Sequence, residues 1–480
     1  MFHKIKKHTQ KLKYAMEKIT NVLIIGAGKA GKLLLDELKN PEYRNYRILG
    51  FIDDDVKKVD TVIENIRVLG NTNQIPEIVK KEQINLCIIA IPSIKGEKIN
   101  RILNIIQKTQ SNFMIVPPIF ENLKINSIAK PRKIEVDDLL RSPTENVLTE
   151  KAMKKLQNNV FLVTGAAGSI GSEICNQLAS CSPKRIIGLD KAETPLFEIS
   201  NSMKEDYPDV DFVPILCNIK EKENLQDITN QIKPDIIYHC AAFKHVGLME
   251  NFPLECVKNN IEGSINLINA ANKSKAERFV FVSTDKAVYP TSVMGMSKRI
   301  IEKYILSEND AYTKFMVVRF GNVIESNGSV IPIFKKQIEK GGPILLTDER
   351  MERYFMTIAE AAQLVIQASI FGSGGELFVL DMGEPYKIKN IIDRLLQLYS
   401  LDKDDIEIKI IGKRKGEKLS EKLFYEFEDP THSQHNRILK CQYENYSVPE
   451  NFRQMVEEFS INVKDLNKEE IRKKLENLVE

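Results

Sequence analysis

The sequence is short of the features that would mark an oxidised or membrane-spanning chain. Its seven cysteines, Cys87, Cys175, Cys181, Cys217, Cys240, Cys256 and Cys441, are odd in number, scattered and never spaced CxxC. That usage argues for a reducing compartment and against a zinc site, so no metal is expected. No apolar run reaches the roughly 20 residues that a membrane helix needs. No secretory hydrophobic segment follows the start. The net charge of +3 makes no case for nucleic acid or an acidic partner. Repeats of solenoid period and low-complexity tracts are also absent.

What is there is globular. Charged residues make up 28% and hydrophobic ones 42% of the 480 residues, a length that calls for two or three domains. Residues 1–20 form a basic leader with six lysines and one glutamate. The plain reading is a solvated helix; the sharper one is a membrane-surface helix or juxtamembrane stub.

Two stretches begin alike, with an apolar strand, a glycine turn and a helix: "NVLIIGAGKAGKLLLDEL" (21–38) and "NVFLVTGAAGSIGSEICNQL" (159–178). Each is followed by a strand ending in acid, "ILGFIDDD" (48–55) and "RIIGLDK" (185–191). Further runs such as "NLCIIAIP" (85–92), "DIIYHCAA" (235–242), "RFVFVSTD" (278–285) and "FMVVRFGN" (315–322) are almost wholly apolar. Strands of that kind are buried on both faces, as in parallel sheets covered by helices. The expected fold class is α/β, with two Rossmann-like, doubly wound domains. The first spans 21–140, a linker helix 141–158, and the second 159–480. From about 342 the alternation becomes irregular, which reads as a smaller C-terminal substrate-binding lobe.

The glycines carry the first functional signal. Gly165, Gly168 and Gly171 give G-x-x-G-x-x-G between strand and helix. The first permits a tight turn, the middle one lets backbone approach a pyrophosphate, and the third allows close helix packing. The phosphates would sit at the helix N-terminus. Asp190 ends the next strand, where it can accept from both ribose hydroxyls and repel a 2′-phosphate. The cofactor expected is therefore NAD. Its contacts are expected at Gly165, Ala167, Gly168, Ser169, Ile170, Gly171, Asp190, Asn218, Ile219, Ala241, Ala242 and Lys298. The bland alternative is a tight turn without a ligand. Gly26, Gly28 and Gly31, with Asp53, repeat the pattern in the first domain, but no catalytic set follows them. That domain either binds a nucleotide or is a relic that regulates or scaffolds.

One absence is sharper than the others. In "STDKAVYPTSVMGMSKR" (283–299), Lys298 stands where a short-chain dehydrogenase keeps its lysine, but the position four before it, where the catalytic tyrosine belongs, is Met294. A thioether can neither take nor give a proton. "STDK" closes an apolar strand, so Thr284, Asp285 and Lys286 should face the ligand crevice. The bland reading of Asp-Lys is a surface ion pair.

From about 145 to 425 the chain resembles an extended short-chain dehydrogenase of the nucleotide-sugar 4,6-dehydratase type. It is most similar to the long, usually membrane-associated bacterial UDP-N-acetylglucosamine 4,6-dehydratases of the polysaccharide-biosynthesis family. "VTGAAGSIGSE", "HCAAFKHVGLMEN", "STDKAVYPTSVMGMSKR", "VRFGNVIESNGSVIPIFKKQI", "RYFMTIAEAAQLV", "LDMGEP" and "GEKL" carry the resemblance. Those relatives also have an extra N-terminal Rossmann-like domain, preceded by membrane helices without a counterpart here. The resemblance implies an active enzyme that holds methionine at the tyrosine position.

The reaction it implies is internal redox. NAD takes a hydride from sugar C4, water is lost across C5 and C6, and the hydride returns to C6. Asp285 suits the acid for the departing hydroxyl and Lys286 the C5 base. Thr284 would hydrogen-bond the C4 oxygen, Lys298 would anchor the ribose, and Met294 would pack at the pocket wall. The resemblance places Asn322 and Arg319 at the diphosphate, with a structural ion pair as the other reading of Arg319. It places Val330 and Pro332 in the uridine loop, and Arg353, Arg414 and Glu417 at diphosphate and ribose. Lys244 and His245 would border the sugar, with a structural histidine as the plainer reading. Expected partners are UDP-N-acetylglucosamine and further copies of the chain, as a homodimer or larger assembly. The expected location is cytoplasmic, with peripheral membrane association as the alternative left by the leader. The methionine subgroup resembles enzymes that retain the C5 configuration. Competing readings are a dehydratase or 4-epimerase of another nucleotide sugar, and a non-catalytic NAD-binding scaffold.

Overall fold

The computed structural model describes residues 19–91, 96–109, 111–116, 130–134, 138, 148–307, 312–399, 401–443 and 448–480. The basic leader up to residue 18 and the boundary segment 139–147 lie outside the described residues. The chain divides into two compact units, Met1–Asn146 with Gln397–Leu401, and Val147–Leu396 with Asp402–Glu480. Among the described residues no helix is long and apolar enough to cross a membrane.

The first unit is built on β1 (Thr20–Ile25), β2 (Tyr46–Ile52), β3 (Val62–Ile63), β4 (Ile66–Gly70), β5 (Leu86–Ile89) and β6 (Asn112–Ile115), ordered β3-β4-β2-β1-β5-β6. All pairings are parallel except β3 with β4. Leu23, Ile25, Cys87 and Ile89 join one buried cluster, while Val22, Ile24, Leu86 and Ile88 join another. Period-two side chains thus feed a helical layer on each face, which is why the strands read as unbroken apolar runs.

The second unit holds a nine-stranded sheet. Its strands β7 (Val160–Thr164), β8 (Arg185–Asp190), β9 (Phe212–Leu216), β10 (Ile236–His239), β11 (Arg278–Val282) and β12 (Lys314–Arg319) are joined by Glu376–Leu380 in the order β9-β8-β7-β10-β11-β12-(376–380). All of these are parallel. An antiparallel hairpin, Ile438–Tyr443 and Glu428–His432, completes the edge beyond 376–380. The strand order reverses between β7 and β10, so a crevice opens there at the C-terminal strand ends.

Helix Glu150–Leu156, read from sequence as a linker, belongs to this unit. Leu148, Ala152 and Leu156 are buried in the same cluster as Phe161 and Leu178, and Thr149 Oγ1 caps the helix by accepting from Ala152 N at 3.2 Å. The residues after 342 do not form one separate lobe. Strand 376–380 and the hairpin return to the main sheet, and helix Ile358–Phe371 packs into its core. Short pairs such as Ile344–Leu346 with Ile408–Ile410, and Glu352–Arg353 with Tyr386–Lys387, lie outside that sheet.

Candidate active site

Strand β11 ends at Val282, and after Ser283 the chain folds back at once. Thr284 caps a single 3₁₀ turn, Asp285–Ala287. Its hydroxyl donates to Asp285 Oδ1 at 2.9 Å, and the Lys286 ammonium reaches the same oxygen at 2.9 Å. That ammonium also donates to Asn322 Oδ1 at 2.8 Å, in the short strand Asn322–Val323 that follows β12. Asp285 is wholly buried, and its second oxygen, Oδ2, has no hydrogen-bond partner among the described residues. An orphaned buried acceptor normally costs about 1–3 kcal/mol, so this one calls for a reason. Gly321 leaves it space: a Cβ there would stand 3.2 Å from Oδ2 and 2.9 Å from Tyr354 Cβ. The acid, the amine and the hydroxyl expected from sequence therefore form one cluster, with a free acceptor beside it.

Lys244 stands near this cluster, since both burial and the Lys286 charge lower its pKa. His245, at the N-cap of helix Val246–Asn251, lies against the Ser326–Ser329 loop. A Cβ on Gly328 would come within 2.5 Å of its ring. Its pKa is lowered by burial and by Lys244. Val330 and Pro332 sit in the first turn of the helix that this loop leads into, Val330–Glu339.

Lys298 comes from helix Val293–Leu306, whose start is capped by Ser292 Oγ accepting from Gly295 N at 3.1 Å. Its ammonium donates to the Val282 carbonyl at 2.8 Å and lies 4.3 Å from the centre of the Phe281 ring. Burial pushes its pKa down to about 8. Beneath it, His239 is buried with both ring nitrogens satisfied, by Thr164 Oγ1 and Ser264 Oγ. Met294 is 3% exposed and packs in the main apolar cluster.

The glycine turn after β7 fits a dinucleotide. Gly165 has φ +68°, and a Cβ there would strike Ala241 N at 2.7 Å. A Cβ on Gly171 would lie 2.1 Å from Gly165 O. At Gly168 a Cβ would meet only Gly165 O, at 3.2 Å, so its other side is open where helix Ser169–Ala179 begins. Asp190 holds the turn, accepting from Ala167 N at 3.1 Å and Ala192 N at 3.0 Å. Ala167 and Ile170 pack against one face of the sheet and Ala241 against the other. Asn218 Oδ1 accepts from Lys220 N at 3.1 Å, and Ile219 is buried under Gly263. Ala242 follows Ala241 in the segment just beyond β10. Ser169 Oγ accepts from Asn327 N at 3.2 Å, tying the turn to the 326–329 loop.

Residues 161–443, more than half of the chain, match the model of a family described as "Polysaccharide biosynthesis protein". The chain belongs to that family. It is a family of nucleotide-sugar dehydratase- and epimerase-like proteins. The chain is 41% identical over 433 residues to the capsular polysaccharide biosynthesis protein CapD of Staphylococcus aureus, covering 88% of this chain and 72% of CapD. It is 32% identical over 283 residues to the UDP-N-acetylglucosamine 4,6-dehydratase (inverting) of Campylobacter jejuni, covering 56% of this chain and 80% of that one. Among solved structures it resembles Pen from Bacillus thuringiensis, with TM-score 0.55 and 29% identity, covering 62% of this chain and 90% of Pen.

Residues 5–117 match a second model, described as a CoA-binding domain. In that unit the turn is built as in the other. Asp53 accepts from Ala27 N at 2.9 Å, and here also from Lys58 at 3.0 Å. Burial alone would raise its pKa, but hydrogen bonds from Asp55 N, Lys58 and Ala27 N outweigh burial and lower it.

Of the two readings of Arg319, diphosphate contact and structural ion pair, the structure favours the second. Arg319 is fully buried and cannot reach a diphosphate. Its guanidinium donates to Glu302 at 2.7 and 3.1 Å, to Glu428 at 2.7 and 3.1 Å, and to Leu423 O at 2.9 Å. Arg299 joins Glu302 at 3.2 Å, and Ser283 Oγ donates to Glu302 at 2.6 Å. Burial alone would raise Glu302, but Arg319 and Arg299 outweigh it and lower its pKa. This buried network ties the β11 end, the β12 end, the Lys298 helix and the edge hairpin together beneath the cluster. The sequence reading missed Glu302, Arg299 and Glu428, because Arg319 meets Glu302 and Glu428 across 17 and 109 residues, and such separations give no local spacing signal.

Arg353 is also turned to the backbone, donating to the carbonyls of Glu352, Lys418 and Leu419 at 2.7, 2.7 and 2.9 Å. It shapes the loop after Glu417. Arg414 is exposed, in a turn closed by Glu417 Oε2 accepting from its amide at 3.3 Å.

Proposed function

We propose that this chain is an NAD-dependent UDP-N-acetylglucosamine 4,6-dehydratase that supplies a 4-keto-6-deoxy sugar nucleotide to glycan synthesis. The observation that carries the reading is the Thr284–Asp285–Lys286–Asn322 cluster, with its orphaned Asp285 oxygen, beside a turn that fits a dinucleotide. The Campylobacter relative's name supports the substrate. NAD, when bound, would accept the C4 hydride and return it to C6, with no net oxidation.

The residues account for the remaining protons. Asp285 and Lys286 are 2.9 Å apart and can hold one proton between them. As the C4 hydride leaves, the C4 hydroxyl proton passes by way of Thr284, which already donates to Asp285, onto the Asp285 carboxylate, and the Lys286 amine is then free to take the C5 proton, which the C4 ketone has made acidic. Asp285 then gives its proton to the C6 hydroxyl, and water leaves. The pair ends as ammonium and carboxylate. When the hydride arrives at C6, Lys286 returns a proton to C5. Thr284 hydrogen-bonds the C4 oxygen, and Asn322, oriented by Lys286, turns its amide nitrogen to the diphosphate. Lys298 anchors the nicotinamide ribose, and its charge favours a developing alkoxide. Because one amine takes and returns the C5 proton, the configuration there is retained.

The test is incubation with UDP-N-acetylglucosamine without added NAD, followed by mass spectrometry. The expected product is lighter by one water. An isomer of unchanged mass would point to the epimerase reading, and no conversion by NAD-loaded protein would reject both.

A further inference from the structure

The carboxylate of Glu250 is nearly buried, 6% exposed, and its two oxygens serve different elements. Oε1 accepts from the amide of Val293 at 2.7 Å, the first residue of the helix that carries Met294 and Lys298. Oε2 accepts from Arg472 Nη1 at 2.6 Å, in the last helix, Lys468–Val479. The same guanidinium donates through Nη2 to Thr291 O at 3.0 Å and through Nε to Glu476 at 3.0 Å.

The turn containing Arg414 and Glu417 closes on the same point. Thr291 Oγ1 donates to Gly416 O at 3.1 Å. A Cβ on Gly416 would stand 3.1 Å from Glu250 Oε1 and 3.0 Å from Ser292 Cβ. At the far end of the Lys298 helix, Lys303 donates to the carbonyls of Leu478 and Val479 at 3.1 and 3.2 Å. Between these polar ends, Ile471, Leu475 and Leu478 share a buried cluster with Ile300, Ile301 and Tyr304. Every residue of that helix from Val293 to Ile305 is buried.

We propose that Arg472 is a positioning residue. Through Glu250 it fixes the start of the Val293–Leu306 helix against the Arg414–Glu417 turn, so that the C-terminal helix holds cofactor-side and substrate-side elements in register. The physical reason is that a nearly buried carboxylate cannot stay in place without its cation. Once Arg472 is lost, Glu250 turns toward water and releases the Val293 amide, and both elements attached to it drift. Displacements of about 1 Å at a reacting group can cost on the order of 10²-fold in rate. The rate readout rests on the dehydratase reading; the backbone readout does not.

The experiment uses the full chain with Arg472→Met, Arg472→Lys and Arg472→Gln. Amide hydrogen exchange is followed by mass spectrometry, and steady-state kinetics with UDP-N-acetylglucosamine are measured well below melting. In Arg472→Met, exchange should rise together in 289–295 and 414–418 but not in β7–β9. Its kcat/KM should fall about 10- to 100-fold, and Arg472→Lys should restore most of both. Should Arg472→Met fail to fold, Arg472→Gln carries the same exchange test. A folded variant with wild-type exchange in both segments overturns the proposal. So does one that loses only melting temperature while kcat and KM stay normal. If the wild type itself does not turn over the sugar nucleotide, the substrate assignment fails, and the exchange result still decides the role of Arg472.

Discussion

Arg319 and Glu302 face each other through two parallel hydrogen bonds, 2.7 and 3.1 Å long, with neither side chain exposed to solvent. Glu428 completes the pairing on the other side of the guanidinium. Removing the arginine alone would leave two buried carboxylates close together. Arg319→Ala should therefore destabilise the fold by about 3–5 kcal/mol, read as a loss in urea midpoint. If it folds normally and raises only the KM for the sugar nucleotide, the structural assignment is wrong.

The cluster at the β11 end makes a different claim. Lys286→Ala and Asp285→Asn should each lower kcat on the order of 10²- to 10⁴-fold, the usual scale for a positioned acid or base. Bound NAD should remain, since neither side chain is assigned to the cofactor. Near-normal turnover by Lys286→Ala would remove the proposed base.

Reaction in D2O tests the single-base scheme. The product should carry deuterium at C5 with its configuration unchanged, as read by NMR. An inverted C5 would require a second group on the opposite face of the ring.

Lys298 gives a pH prediction. Burial lowers its pKa from 10.5 to about 8, so between these values the unfolded chain binds more protons at this site than the folded one. Stability referable to Lys298 must then rise with pH across that window, while below it the burial penalty stands in full. Compared with Lys298→Met, the wild type should gain at most about 3 kcal/mol in unfolding free energy between pH of about 8 and 10. A pH-independent gap in urea titrations would contradict this.

Met294 should be replaceable. It is 3% exposed and packs in an apolar cluster. Leucine nearly conserves its volume, and such swaps usually cost under about 1.5 kcal/mol. Met294→Leu should keep most activity at moderate temperature. Met294→Tyr adds bulk to a filled site and should give no gain in kcat; a clear gain would mean that the acid–base set was incomplete.

The sequence alone determined the parallel sheets, the glycine turn with Asp190, and the strand-end position of Asp285 and Lys286. These are local matters: strand periodicity, left-handed backbone at Gly165, and the chain order of strand, turn and helix. The grouping of Thr284, Asp285 and Lys286 was legible because neighbours in sequence cannot be far apart at a strand end. Only the tertiary structure decided the fate of Arg319, which a motif places beside a phosphate and folding places between Glu302 and Glu428. It also decided that Glu250 meets Arg472, 222 residues later, at the start of the Lys298 helix. A buried charge is placed by whichever opposite charge the finished fold brings within reach, and sequence distance carries no information about that.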